Sequence, residues 1–307
     1  MKIAFRPRML GLSIATAMLA LAAVDTARAQ LVVPGHGRLV EKASDDFEDP
    51  NWQYFPNNPK GSKDVDGQRR YPVGRSRNRL WIEGNLRGHP DVVKIIDTPP
   101  GGHYGSQKAM LLQSLYTGTP GRASGESGQD DFVANVRAAL RGSVSASRAP
   151  SVLCRVYLPP DEQWEHRSGA SFGFRITLMG NRRSGEELEV YWPGIFIAHR
   201  PAMRGQAPSN YIICRGLTSG ADFRGPEINQ LGWWTLGMSV SPDGKVHFFA
   251  APGTDGVTAD DHIASYHCYG FRAQQFKSYF FDVFNANNGK SWTTPWVVDD
   301  CEVYFGR

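Results

Sequence analysis

The sequence has 307 residues, of which 41% are hydrophobic and 21% charged, and its formal net charge is +4. That balance excludes a globally disordered chain, and 33 Gly and 20 Pro without a triplet period exclude collagen. With 16 Phe, 11 Tyr and 8 Trp, the chain can bury a large core.

The chain opens with Lys2, Arg6 and Arg8, then an apolar run from Met9 to Val24, then Ala27-Arg28-Ala29. Basic, apolar and small-x-small segments in that order read as a Sec signal peptide over 1–29, cleaved ahead of Gln30. The alternative is an uncleaved anchor, but the apolar run is shorter than the roughly 20 residues a span needs. Without 1–29 the chain keeps 30 basic and 29 acidic residues, a net charge of +1. Such a chain has no bulk electrostatic case for nucleic acid or anionic membranes. No later apolar stretch approaches spanning length, so the mature chain is expected to be periplasmic or extracellular, with no membrane span. Residues 30–43 read as a flexible start and 44–307 as one domain.

In chain order, the first mature strand is expected near Ser44 to Glu48, with Trp52 behind it. Residues 56–79 are polar and Arg-rich and read as a long loop or an excursion across one end of the sandwich; 118–129 read as a Gly/Ser/Thr loop. Phe132, Val133, Val136 and Leu140 recur at helical spacing, so a helix is expected over Asp130 to Leu140. Ser171 to Met179 alternates as a strand, with Phe172, Phe174, Ile176 and Leu178 on one face and Arg175 on the other. Trp234, Leu236, Met238 and Val240 form another core face, with Trp233 partly exposed. Ser241-Pro242-Asp243-Gly244 turns that strand into Val246 to Ala250. Tyr279 to Asn285 reads as a central strand buried on both faces, and Trp296 to Phe305 as the last strand. The fold class is all-β, a two-sheet sandwich or barrel with few short helices.

Export permits disulfides. Cys154, Cys214, Cys268 and Cys301 allow three connectivities, and their spacing selects none. The absence of any Cys-x-x-Cys argues against zinc or redox chemistry.

Three pieces resemble the concanavalin A-like lectin/glucanase jelly rolls, including their laminin G-like branch. They are Asp45-Asp46-Phe47-Glu48-Asp49 with Trp52, Gly232-Trp233-Trp234-Thr235-Leu236 leading into Ser241-Pro242-Asp243-Gly244-Lys245-Val246, and Trp296 to Tyr304. The resemblance implies a jelly-roll sandwich of two curved antiparallel sheets, its last strand beside its first, with ligands on the concave face or at loop edges. It does not imply a function, because this fold hosts lectins, hydrolases, lyases and adhesion modules.

Several constellations carry chemistry. Glu187, Glu189 and Tyr191 share one strand face, and two carboxylates two residues apart lie about 7 Å from each other, within glycosidase reach. The segment resembles the catalytic strand of laminarinase-type glycoside hydrolases, but departs from it in having Tyr191 at the third acidic position and Glu189 for the central Asp. A lyase needs a Tyr or His base with an Arg that neutralises a uronate carboxylate. Arg175, with Tyr191, His199, Tyr211 and Arg215 on nearby strands, supplies those types. For stacking on sugar rings the candidates are Trp192, Trp233 and Tyr211, with Trp164 and Trp292 in loops, against core packing as the plainer account. His262 and His267, five apart, fall on opposite strand faces and make a poor zinc pair. A structural calcium would be held by Asp45, Asp46, Asp299 and Asp300 if first and last strands are neighbours. Asp130-Asp131 and Asp260-Asp261 are further acidic pairs, and turn-forming Asp is the plainer reading of all of them.

The leading expectation is a secreted, non-catalytic carbohydrate-binding or surface-recognition domain, its partner a polysaccharide or cell-surface glycan. The alternatives are a polysaccharide lyase or glycoside hydrolase on the concave face, and a structural adhesion module without a sugar ligand.

Overall fold

The computed structural model describes residues 31–306 apart from 69, 119 and 120. The expected signal peptide, its cleavage site and Gln30 lie outside the described residues.

The fold is the expected all-β sandwich of two antiparallel sheets. The larger has eleven strands. Its central order is Asp222–Ile228, Ser209–Arg215, Gly194–Arg200, Gly169–Asn181, Arg272–Asn285, Gly128–Ala134 and Trp81–Glu83, with short strands at the margins. The smaller has eight, running from His262–Tyr266 through Val246–Pro252, Gly232–Val240, Ser151–Leu158, Trp296–Phe305 and Lys108–Gln113 to Val92–Asp97. Period-two alternation selects what lies between them: Phe172, Phe174, Ile176 and Leu178 meet Trp234, Leu236, Met238 and Trp296 in one core. Trp81 is its hub, stacked on Phe132 at 5.1 Å and on Phe281 at 5.5 Å. The turn at Gly244, with φ of 84°, closes the expected hairpin.

Three elements differ from expectation. The segment over Asp130 to Leu140 is a strand, Gly128–Ala134, followed by one helical turn, Val136–Ala139. Phe132, Ala134 and Val136 all face the core, so a helical spacing at 132 and 136 is also a strand spacing. Ser44 to Glu48 forms no strand, because Phe47 turns the chain at a φ of 60° and leaves a single bridge from Asp45 to Cys301. Residues 31–39, read as a loose start, are docked on the smaller sheet: Leu31 and Val33 pack on Leu153, Phe249 and Val257, and Arg38–Leu39 pair with Phe305 and Tyr304. The first described strand, Arg38–Leu39, therefore does lie beside the last strand, as the resemblance implied.

The stretch after residue 56 is anchored at Lys60, Gly61 and Gly74. Lys60 is fully buried, and its Nζ donates to Asp130 Oδ2 at 2.5 Å, Asp91 Oδ1 at 3.0 Å and the Tyr116 carbonyl at 2.5 Å. The Gly61 amide and the Gly74 amide both donate to the buried Glu83 carboxylate.

All four cysteines are buried thiols. Cys154 and Cys301 sit on adjacent strands of the smaller sheet with their Sγ atoms 3.0 Å apart. Burial pushes the Cys214 and Cys268 thiols well above the usual range. Mild oxidation of the folded chain is expected to join Cys154 to Cys301 and stabilise it by about 2–4 kcal/mol. A non-reducing peptide map checks this; four thiols still open to alkylation after unfolding would refute it.

Candidate functional site

The outward face of the larger sheet concentrates polar and aromatic side chains in two neighbouring rows. Strand register puts Arg175 opposite Phe280 on one side and Gly194 on the other, and Gly194 opposite Arg215. The next row runs Asp131, Asp282, Gly173, Phe196 and Ile213. Glycine at 173 leaves room for the acid, since a Cβ there would lie 2.9 Å from both Asp282 Oδ2 and the Phe196 ring. Arg175 Nη1 is 3.4 Å from Asp282 Oδ2, and its Nη2 donates to the Trp192 carbonyl at 2.6 Å. The guanidinium lies over Phe280 and Phe196, at 5.3 and 5.6 Å.

Asp131 and Asp282 form a coupled carboxyl pair. Burial raises both above the ordinary carboxylate range, and for Asp282 it outweighs the Arg175 guanidinium; the neighbouring Asp131 charge adds to the rise, taking Asp282 to about 8. Two adjacent buried carboxyls cannot both ionise cheaply. Burial therefore favours one proton shared by the pair over two charges at neutral pH.

Asp131 also borders a groove of about 320 Å³. One wall is the loop around Gly84, Asn85 and Leu86; the other is Val190 and Trp192; Thr177, Ser278 and Phe280 form the floor. Leu86, Val190 and Trp192 are 36%, 38% and 36% exposed, three of the eleven large hydrophobic residues exposed among the described residues. Lys277 and Arg137 close one end, and burial, with the Arg137 charge, lowers the Lys277 ammonium below its usual range. The first wall is anchored: the Asp131 amide donates to the Gly88 carbonyl at 2.8 Å, the Asp64 amide to the Leu86 carbonyl at 2.9 Å, and Arg87 pairs with Asp64 at 3.3 Å.

Of the expected site residues, Trp192, Arg175, Arg215 and Tyr211 share this face. Trp192 lines the groove, whereas Arg215 is committed to Asp222 at 2.7 and 2.9 Å and Tyr211 lies under Arg224 at 3.8 Å. The others lie elsewhere. In the short strand Glu189–Tyr191, Val190 turns outward, and Trp192 follows it on the same side; Glu189 and Tyr191 take the inward parity. Tyr191 is buried in the core opposite Leu178, and its hydroxyl is raised by burial, so it is no base for the groove. Glu189 is exposed opposite Gly180 and Glu187 is exposed in the preceding loop, so no cleft frames them as a catalytic pair. His199 has the parity of Ile195 and Ile197, opposite to Arg175. It stacks on the buried Trp164 at 4.8 Å with Nδ1 2.7 Å from Asn210 Oδ1, and burial lowers its ring below the usual range.

Trp233 is 5% exposed, not a platform: it packs on Ala109, Val297 and Tyr157 outside the smaller sheet. Trp234 is in the core and Trp292 is exposed. The four calcium candidates do cluster where the first and last segments meet, but N–H and O–H donors already occupy the two buried carboxyls. Asp45 accepts from Trp52 Nε1, Trp81 Nε1, Asn78 Nδ2 and the Phe47 amide. Asp299 accepts from Ser106 Oγ and the Asp300 amide, Asp300 lies 3.5 Å from Arg155, and Asp46 is exposed. Among the described residues no three His, Cys, Asp or Glu are grouped to hold a metal. Asp130 serves Lys60, and Asp261 caps the turn at Thr258. Asp282 and Lys277 are the site residues that pattern reading missed; the one signal was a lone carboxylate inside the aromatic run Tyr279 to Asn285.

Fold and face together define a jelly-roll sandwich with an open groove on its larger sheet. No family model matches the chain, and no curated protein matches it. Among solved structures it is similar to a conserved carbohydrate esterase from Shiga toxin-encoding bacteriophage phi24B, with a TM-score of 0.40 and 10% identity over 75% of this chain and 91% of that one. It is also similar to the marine PL7 alginate lyase AlyA1 from Zobellia galactanivorans, with a TM-score of 0.38 and 11% identity over 83% and 92%. A third is the T. cruzi calreticulin globular domain, with a TM-score of 0.33 and 10% identity over 73% and 83%.

Proposed function

We propose that this chain is an exported polysaccharide-binding sandwich, cleaved after Ala29, whose glycan lies along the groove on the larger sheet. The observation that carries the reading is the groove's make-up. An exposed indole, Trp192, stands beside Val190 and faces Leu86 across a floor of hydroxyls, with amides at its margin. Sugars present an apolar ring face and a hydroxyl edge, and such a wall and floor answer both. Trp192→Ala is expected to weaken retention on a bound polysaccharide by about tenfold or more, roughly 1.4 kcal/mol, without lowering stability. Affinity electrophoresis of the full chain against a glycan panel measures it; unchanged mobility shifts in the variant would remove the groove from the account.

A second reading, polysaccharide cleavage, has one observation in its favour. Asp131 is at the groove surface and draws on a carboxyl pair that keeps a proton at neutral pH, the state a general acid needs. Among the described residues no second carboxylate lines the groove, which weighs against a two-carboxylate hydrolase. Reducing ends or ultraviolet-absorbing unsaturated products from the parent chain, lost in Asp131→Asn, would establish this second reading over the first.

A further inference from the structure

The strands that floor the groove continue into a second depression, of about 900 Å³, beside Asn181 and Gln275. Arg182, Arg272 and His267 line it, and none of its lining residues is acidic. Both side chains pack on their surroundings. Arg182 lies over the Phe271 ring at 4.9 Å. The stem of Arg272 packs on the turn at Gly244, where a Cβ would come within 2.5 Å of Arg272 Cγ. On the same sheet Arg175 and Arg215 each face a carboxylate. Arg182 and Arg272 have none within ion-pair reach among the described residues. Glu186, in the adjoining loop, accepts from the Arg183 amide at 3.1 Å, and the exposed Glu187 is not among the lining residues. His267 Nδ1 is buried without a hydrogen-bond partner among the described residues. Lys277 and Arg137, which both line the groove, are two neighbouring cations, and neither has an ion pair among the described residues.

Like charges gathered on a concave surface repel. A ligand that brings the negative charge relieves that repulsion, and guanidinium forks suit the paired oxygens of a carboxylate or a sulfate. Building on the glycan-binding reading, we infer that this depression is an anion subsite continuous with the groove, and that the polysaccharide is one carrying carboxylate or sulfate groups. Rings stack at Trp192 while a charged substituent further along the chain reaches Arg182 and Arg272.

The test uses the full chain and two matched pairs of polymers: polygalacturonate with its carboxyl-reduced form, and dextran sulfate with dextran. Arg182→Gln/Arg272→Gln is compared with Trp192→Ala, and thermal unfolding confirms that both variants fold; all three side chains are at the surface. The expected result is that the parent prefers a charged polymer to its neutral twin, and that the double variant loses about tenfold or more on that polymer and nothing on the twin. The preferred pair identifies the group as carboxylate or sulfate. Equal binding of charged and neutral twins by the parent, or full retention of the charged polymer by the double variant, overturns the subsite; a loss in Trp192→Ala then leaves glycan binding standing. Failure of the parent to bind any of the four polymers, or any glycan of a wider panel, takes the glycan-binding reading down as well.

Discussion

Replacing Lys60 by Met is expected to destabilise the protein by about 3–5 kcal/mol, and by more at pH 8 than at pH 5. Lys60 and Asp130 are both fully inaccessible, and the ammonium is the only cation paired with that carboxylate among the described residues. Met fills much of the same volume, so packing loss is the smaller part of the effect. What remains is Asp130 with two neutral donors, Ser114 Oγ at 2.6 Å and the Gly118 amide at 2.8 Å. Burial already pushes Asp130 up to about 7, with the Lys60 charge working against that rise; without Lys60 it climbs further. The sign follows from proton counting. A carboxyl raised in the folded state keeps a proton that the unfolded chain has lost, so stability falls as pH rises from the unfolded value to the folded one. In the parent that fall ends near 7; in the variant it continues, and the gap between them widens above neutrality. Urea unfolding at about pH 5 and about pH 8 measures the gap, and Asp130→Asn in the Lys60→Met background should remove its pH dependence. An equal loss at both pH values would mean that shape, not charge, is what Lys60 supplies. Function should follow stability here. A Cβ at Gly88 would come within 2.6 Å of the Lys60 stem, so loosening Lys60 loosens the loop that forms the Leu86 wall of the groove.

That dependence marks the boundary of what pattern could show. Alternation over Ser171 to Met179 was enough to place Phe172, Phe174, Ile176 and Leu178 inside and Arg175 outside, because a strand has only two faces. The same rule grouped Glu187, Glu189 and Tyr191, yet parity says neither where the strand begins nor which residues are covered: Glu187 lies in the loop before it, Glu189 is exposed, Tyr191 is buried, and Val190 and Trp192 take the open face. Trp233 failed for a related reason: it does point away from the main core, but Ala109 and Val297 cover it there. Asp131 and Asp282 are about 150 residues apart in sequence, and only register between non-consecutive strands makes them neighbours. The groove's first wall is set by a buried lysine in a stretch whose composition reads as an open loop. Local periodicity thus reached the sheets and half the groove; the acid pair and the wall required tertiary contacts that no local pattern encodes.

Asp282→Asn is expected to flatten the dependence of stability on pH between about 4 and about 8, by about 1.4 kcal/mol per pH unit relative to the parent. In that window the folded parent keeps the Asp282 proton while the unfolded chain has released it, so the parent loses stability as pH rises. An amide has nearly the shape of the protonated acid and carries no charge. The variant therefore reproduces the singly protonated pair, with one charge on Asp131 facing Arg87 and Arg175. Parent and variant should be about equally stable near pH 4, and the variant should be the more stable near pH 8. Matched slopes in denaturant titrations across that range would mean that the two carboxyls do not share a proton. Asp131→Asn separates this from the groove's chemistry. It leaves Asp282 with Arg175 at 3.4 Å and no neighbouring carboxylate, so Asp282 ionises at lower pH and the slope again flattens. Asp282 is fully buried, and its replacement should leave glycan retention as it was; Asp131 borders the groove, and its replacement should change retention or, if the parent releases products, abolish their release. A proton held between a buried and a groove-facing carboxyl is costly to maintain, and the two variants tell whether that cost serves the sheet or the ligand.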